Sequence, residues 1–582
     1  METIRILMGR LREYRRASLL TPLFIVGEVA LECLLPLIMA TLVDRLGGED
    51  LGPVLRIGLA LVVMAMASLA CGVLAARFSA TAAAGLAKNL RQDLFFRVQG
   101  FSFKDIDAFS TSSLVTRMTT DVTNVQNAFG MLIRVAVRVP LMVVFAVIMT
   151  LRISWRMSLI FLGMLPFLVV ILVVVIAVVF PIFRRVFKKY DALNNSVQEN
   201  VSAIRVVKSF VTEDYERERF AAASQDLRAD FAKAEKILAL NNPVMMFFIF
   251  AAIMMVDFIG ARMIVASGGT ELTTGALSAL ITYGIQILTA MLMLAFIFVM
   301  TTMAAESANR IAEVLTHSAS LTSPEGGARE VANGEVRFEG VSFKYSDDAE
   351  EDALRGIDLV VPSGSTLGVV GGTGASKTTL IQLVSRLYDA TSGTVRVGGR
   401  DVRDYDLESL RDAVSVVLQK NVLFSGTIKE NLRWGDPTAT DEELVRACEL
   451  AQADEFIRAF PDGYDTMIER GGTNVSGGQK QRLCIARALL KRPRILILDD
   501  STSAVDTRTD ALIRRAFATE IPDTTTIIIA QRLSSVRDAD QIIVMDDGRI
   551  KERGTHDELM AAGGEYREIY ESQNQTTESG VA

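Results

Sequence analysis

The run Gly371-Gly372-Thr373-Gly374-Ala375-Ser376-Lys377-Thr378-Thr379 has the composition of a phosphate-binding loop. A hydrophobic run, Leu367–Val370, precedes it and a helix-forming run, Thr379–Val384, follows, which is the strand–loop–helix setting such a loop requires. Backbone N–H groups and the helix N-terminus would cradle phosphates, Lys377 would reach the β and γ oxygens, and Thr378 would offer its hydroxyl to Mg2+. A second hydrophobic run, Ile495–Leu498, ends in Asp499, a carboxylate for the same cation. Ser376 stands where the loop pattern asks for its second glycine, so it adds a Cβ where backbone normally approaches phosphate.

These residues need a scaffold. At 582 residues the chain is too long for one compact core, so at least two domains are expected. Hydrophobic residues make up 50% of the chain but are concentrated in its first half. Six apolar segments, roughly 19–43, 54–76, 129–150, 157–180, 244–266 and 276–303, each meet the ~20-residue criterion for crossing a bilayer. Arg5, Arg10, Arg12, Arg15 and Arg16 precede the first, which is too long for a signal-peptide core and reads as an uncleaved membrane helix. The short connections 44–53 and 267–275 hold one basic residue, Arg45, whereas the long ones, about 77–128 and 181–243, carry Arg91, Arg97, Lys104, Arg117, Arg184, Arg185, Lys188 and Lys189. The positive-inside rule then puts the long loops and both termini in the cytoplasm, against a minor conflict from Arg152 and Arg156 in the turn 151–156. The helices are expected to run on well into the cytoplasm, since the long loops consist mostly of helix formers.

Ser318–Gly334 reads as a linker. Beyond it, β-like runs (Glu335–Phe338, Leu367–Val370, Val395–Val397, Ile495–Leu498 and Thr526–Ile529) alternate with helical segments, which argues a parallel α/β sheet. A net charge of −7 gives no nucleic-acid footprint. Cys33, Cys71, Cys448 and Cys484 lack metal-ligand spacing and read as buried free thiols, and with only His317 and His556 no histidine cluster exists.

Adding Val475-Ser476-Gly477-Gly478-Gln479 to the loop and Asp499 gives a set that resembles the ATP-binding cassette (ABC) family, exporter-type half-transporters in particular, over the whole chain. The resemblance implies an α-helical membrane domain of six transmembrane helices (1–317), the linker (318–334) and an α/β P-loop nucleotide-binding domain (335–582). It also assigns Tyr345 to adenine stacking, Gln419 to Mg2+ and the membrane domain, Glu469 to an acidic contact with coupling helices, and Ser503-Ala504-Val505-Asp506 to the loop crossing a dimer interface. Thr111–Arg117 and Ile204–Phe210 resemble the coupling segments that dock on cassettes. In this family two cassettes sandwich two ATP molecules, each site pairing one chain's phosphate loop with the other chain's signature.

Against that pattern this chain's own ATP site departs three times: Asp500 replaces the glutamate that polarises water, Gln531 replaces the histidine that contacts the γ-phosphate, and Ser376 replaces a glycine. Asp500 loses one methylene, about 1.5 Å of reach, and Gln531 carries no positive charge. The signature, Ser476, Gly477, Gly478 and Gln479, departs only in the preceding Val475. The asymmetry implies the degenerate-site subunit of a heterodimeric bacterial multidrug-type exporter, a translocating ATPase of the cell membrane using ATP and Mg2+. Its partner would be a homologous half-transporter holding the main hydrolytic site, its substrates small molecules such as drugs or lipids. The alternatives are an ATP-binding regulatory or assembly subunit, or an importer using the exporter fold. Within the spans, Glu28 and Glu32 share one helix face and Asp257 lies in the fifth segment; these could attract cationic substrates or pair with arginines such as Arg262. Met245, Met246, Met254, Met255, Met291 and Met293 suit core packing or lipid contact better than an adaptable binding surface.

Overall fold

The computed structural model describes residues 2–46, 51–346 and 349–579, so positions 47–50 of the expected 44–53 connection lie outside the described residues. It divides into two compact units, Met1–Gln99 with Thr111–His317, and Gly100–Ser110 with Ser318–Ala582.

Among the described residues of the first unit six helices are long and apolar enough to cross a membrane: Arg12–Arg45, Leu51–Gln99, Thr111–Ile153, Trp155–Val179, Glu213–Ser267 and Thr274–Leu294. The 49 residues of Leu51–Gln99 span about 74 Å at 1.5 Å per residue, more than twice the ~30 Å of hydrocarbon. Ile25, Val29 and Cys33, four residues apart, form one buried stripe on the first span and pack with Val139, Met142, Ala146, Tyr283 and Ile287. The Tyr283 hydroxyl donates to the Cys33 carbonyl at 2.6 Å, satisfying a phenol buried among apolar groups. Of the methionines, Met245 and Met291 are buried in a cluster with Leu168, Ile249 and Leu288, while Met246, Met254, Met255 and Met293 face outward. Arg156, which breaks the positive-inside pattern, lies 3.5 Å from Glu271 of the neighbouring short connection, so its charge is offset locally.

The second unit contains β1 Val336–Phe343, β2 Leu354–Val361, β3 Thr366–Gly371, β4 Ser392–Val397, β5 Arg400–Asp401, β6 Val414–Val417, β7 Gly426–Thr427, β8 Met467–Ile468, β9 Ile495–Asp499, β10 Thr525–Ile529, β11 Gln541–Asp546 and β12 Arg549–Gly554. The expected parallel sheet is present, and two further sheets accompany it among the described residues. The main sheet has order β12-β11-β3-β10-β9-β6 and is parallel except for β12. The runs at 335–338 and 395–397 belong instead to an antiparallel sheet of order β2-β1-β4-β5, and β7 and β8 pair separately. All five residues of β9 and of β10 are buried, the uniform pattern of central parallel strands covered on both faces.

Residues 318–334 make defined contacts within the second unit: Ala328 bridges to Tyr405, Arg386 donates to the Thr322 carbonyl, and the Leu407 N–H donates to Ser323 Oγ at 2.9 Å. The segment Gly100–Ser110, grouped by sequence with the membrane domain, belongs to the second unit. Its helix Phe103–Phe109 starts at a Ser102–Asp105 capping box. Tyr388 donates to Asp107 Oδ2 at 2.6 Å, the Phe103 and Tyr388 rings lie 6.2 Å apart, and the Ser320 N–H donates to Asp105 at 3.1 Å. Thr111–Arg117, the expected docking segment, lies in the first unit, where Arg117 donates to the Arg310 carbonyl and to Glu313.

Candidate ATP site, signature helix and intramembrane charges

The phosphate loop leaves β3 at Gly371 and enters the helix Lys377–Val384 through Ser376, at φ +66° and ψ 26°. That left-handed conformation costs a side-chain-bearing residue about 1–2 kcal/mol and is nearly free for glycine. The loop turns through Gly372, Thr373 and Gly374, with Ala375 buried and its N–H bonded to the Gly372 carbonyl. Lys377 Nζ folds back onto the carbonyls of Gly371 and Gly372 at 2.8 and 2.7 Å. Thr378 Oγ1 donates to Asp499 Oδ2 at 2.9 Å, bringing together two of the three expected Mg2+ contacts. Thr379 is buried, and its hydroxyl lies 2.9 Å from the Tyr345 hydroxyl, which places Tyr345 beside the first helical turn, half exposed.

Asp499 closes β9 and Asp500 follows at φ +49°, its N–H tied to the Ile529 carbonyl at the end of β10. This neighbouring-strand contact brings Gln531 close enough to donate to Asp500 Oδ2 at 2.7 Å. Burial pushes the Asp499 carboxyl above the usual range, Asp500 adds to the shift, and the Thr378 hydroxyl and Lys377 oppose it. Burial likewise raises Asp500, against its hydrogen bonds to Gln419 and Ser503. Lys377 is pulled below the usual lysine range by burial, against both aspartates. Among the described residues no group of three His, Cys, Asp or Glu could hold a metal alone. The Thr378 hydroxyl and Asp499 carboxylate brought together here nevertheless suit Mg2+, which takes few protein ligands and fills its shell with phosphate oxygens and water, while Gln419 bonds Asp500 instead.

The signature opens the helix Gly477–Leu490. Ser476 is its N-cap, Ser476 Oγ accepts from the Gln479 N–H, and Gln479 Oε1 accepts from the Ser476 N–H at 2.9 Å. An added Cβ on Gly477 would rest 3.5 Å from Ala504 Cβ, an ordinary contact, whereas one on Gly478 would lie 2.8 Å from the Ala504 carbonyl oxygen. Val475 packs against the main core. Glu469 accepts from Thr473 Oγ1 at 2.7 Å.

Two residues that sequence reasoning missed hold the loop Ser503–Asp506. Gln481, buried, donates to Ser503 Oγ at 3.2 Å and accepts from the Ala504 N–H at 3.0 Å. Arg532 donates to the carbonyls of Ser503 and Val505. A polar residue just inside the signature helix and a cation beside Gln531 were the only signals, and neither announces a partner so distant in sequence.

In the first unit, Arg138 of the third span bridges the expected acidic pair, bonding Glu28 Oε1 and Glu32 Oε2, the latter at 2.7 Å. Gly72 leaves the space: a Cβ there would come within 3.0 Å of Glu28 Oε1. The pairing partner is therefore Arg138, not Arg262. Half-buried Asp257 forms no ion pair with Arg262 among the described residues.

A phosphate loop at the carboxyl end of β3, a carboxylate at the end of β9 and a capped signature helix, preceded by six membrane-length helices, define an ABC exporter fold. A family model for the ABC transporter transmembrane region matches residues 19–291, and one for the ABC transporter matches residues 354–503. The ABC transporter ATP-binding protein YfiB of Bacillus subtilis is 36% identical over 564 residues, 97% of each chain. The ATP-dependent lipid A-core flippase of Aromatoleum aromaticum is 34% identical over 505 residues, 86% of this chain and 82% of that one. A bacterial Atm1-family ABC exporter solved with ATP bound has a TM-score of 0.82 at 26% identity, covering 97% of this chain and 98% of that chain. The chain belongs to the ABC transporter family. It is a multi-pass membrane protein of exporter type carrying an ABC ATPase domain.

Proposed function

We propose that the chain is the degenerate-site half of a heterodimeric exporter, coupling ATP to the export of small molecules, drugs or lipids. The observation that carries this reading is the Gln531–Asp500 hydrogen bond, which occupies with a neutral amide the carboxylate that would have to polarise water. Tyr345, the loop 371–379, Gln419 and Asp499 bind Mg-ATP in this chain, while Ser476, Gly477, Gly478 and Gln479 close over the γ-phosphate held by a homologous partner. Most hydrolysis then occurs at the partner's phosphate loop, with both termini and the ATPase domain cytoplasmic. A transported lipid is in keeping with the name of the flippase relative.

ATP turnover of the purified chain, alone and after co-purification with a homologous half-transporter bearing Glu and His at the equivalent positions, tests this. Slow turnover alone and fast turnover of the pair are expected. Robust, transport-coupled turnover by the chain alone sinks the heterodimer reading.

A further inference from the structure

The C-terminal helix Glu565–Ser579 carries a polar residue on its inward stripe. Tyr566 is fully buried, Ile569 and Tyr570 pack against the same core, and Gln573 continues that face seven residues after Tyr566. The helix is anchored independently of Gln573: the Tyr566 hydroxyl lies 2.8 Å from His556 Nδ1, and the N–H groups of Glu565 and Tyr566 donate to Glu552. From that anchored helix Gln573 Nε2 donates to the Gln531 carbonyl at 2.8 Å, and Gln573 Oε1 accepts from the Leu533 N–H at 3.0 Å. One side-chain amide thus brackets Arg532, which ties down Ser503 and Val505, and holds the carbonyl of Gln531, whose own amide donates to Asp500.

We propose that Gln573 is a positioning residue for the ATP site: by clamping the backbone on both sides of Arg532 it aims the Gln531 side chain at Asp500 and at the terminal phosphate of bound ATP. This rests on the reading of Gln531 as the γ-phosphate contact, not on the heterodimer, so it is testable in the chain alone. A residue that only seated the C-terminal helix would affect ATP and ADP alike, whereas one that aims Gln531 affects only the nucleotide with a γ-phosphate.

The test uses the full-length chain in detergent. Mg-ATP and Mg-ADP affinities are measured by competition with a fluorescent nucleotide for wild type, Gln573→Ala, Gln531→Ala and the double variant, alongside Tm. Gln573→Ala is expected to weaken ATP roughly threefold to tenfold, the worth of a lost hydrogen bond, with ADP within about twofold. The double variant should be no worse than Gln531→Ala, because coupled residues are non-additive. Gln573→Glu keeps an acceptor for the Leu533 N–H but no donor for the Gln531 carbonyl, and should lose ATP preference while keeping its Tm. Equal loss of both nucleotides, additive losses, or no loss overturns the proposal. An unchanged ATP-to-ADP ratio in Gln531→Ala overturns the assignment of Gln531 and the proposal with it.

Discussion

Gln531 Nε2 lies 2.7 Å from Asp500 Oδ2, so two residues that depart from the hydrolytic pattern are bonded to each other. The pair leaves a short carboxylate held by a neutral donor, in place of a longer base beside a titratable group.

Restoring both partners should restore chemistry. Asp500→Glu with Gln531→His is expected to raise turnover at this chain's own site by roughly 100-fold, the low end of what general acid–base catalysis contributes. Single-turnover hydrolysis of labelled ATP in a pair whose partner lacks its phosphate-loop lysine measures it. Adding Ser376→Gly removes a left-handed residue with a side chain; no gain even in that triple variant would show that these substitutions do not limit hydrolysis.

The signature glycines should separate by what each touches. Gly477→Ala meets only Ala504 Cβ at 3.5 Å, so the chain should fold and bind nucleotide normally while the pair loses turnover. Gly478→Ala drives a Cβ against the Ala504 carbonyl and should lower Tm as well. Lys377→Ala should weaken ATP binding in this chain and slow the pair only partly. A signature variant milder than Lys377→Ala would mean that the hydrolytic and degenerate sites are assigned the wrong way round.

Acid should weaken Mg2+ binding at Asp499 earlier than at an ordinary aspartate. Its folded pKa is raised, so the neutral carboxyl is favoured in the nucleotide-free fold and its ionisation costs stability as pH rises through that pKa. Mg2+ needs the ionised form, hence Mg2+-dependent nucleotide affinity should fall as pH drops toward it. Asp499→Asn, which keeps an acceptor for Thr378, should abolish the Mg2+ dependence without lowering the Tm of the nucleotide-free chain.

Arg138 should matter more for folding than either acid alone. Arg138→Met strands the part-buried Glu28 and Glu32 without their cation and should destabilise the first unit by about 1–3 kcal/mol, the cost of leaving a polar group unsatisfied. Adding Glu28→Gln and Glu32→Gln should recover much of the loss, read as Tm in detergent.

The six spans and the phosphate loop were legible because apolar length and glycine spacing are local signals. Thr378 and Asp499 meet because strand ends in a parallel sheet converge on one edge. The antiparallel sheet was not legible, because short runs such as Val395–Val397 look the same in either kind of sheet. The Arg138 bridge was hidden for a similar reason: 106 residues separate it from Glu32, and helix periodicity gives a face but not a neighbour. Ser376 was legible as a departure, but its left-handed backbone was not.

The helix Phe103–Phe109 packs with the ATPase domain through Tyr388, whose ring also borders Phe343 and Tyr345. A recombinant fragment cut at Ser318 would lack that cover and expose an aromatic wall at Phe343, Tyr345 and Tyr388. Its nucleotide affinity and solubility would then describe a wounded surface rather than the native domain. A synthetic peptide of residues 100–110, supplied in trans, is the natural dressing for it.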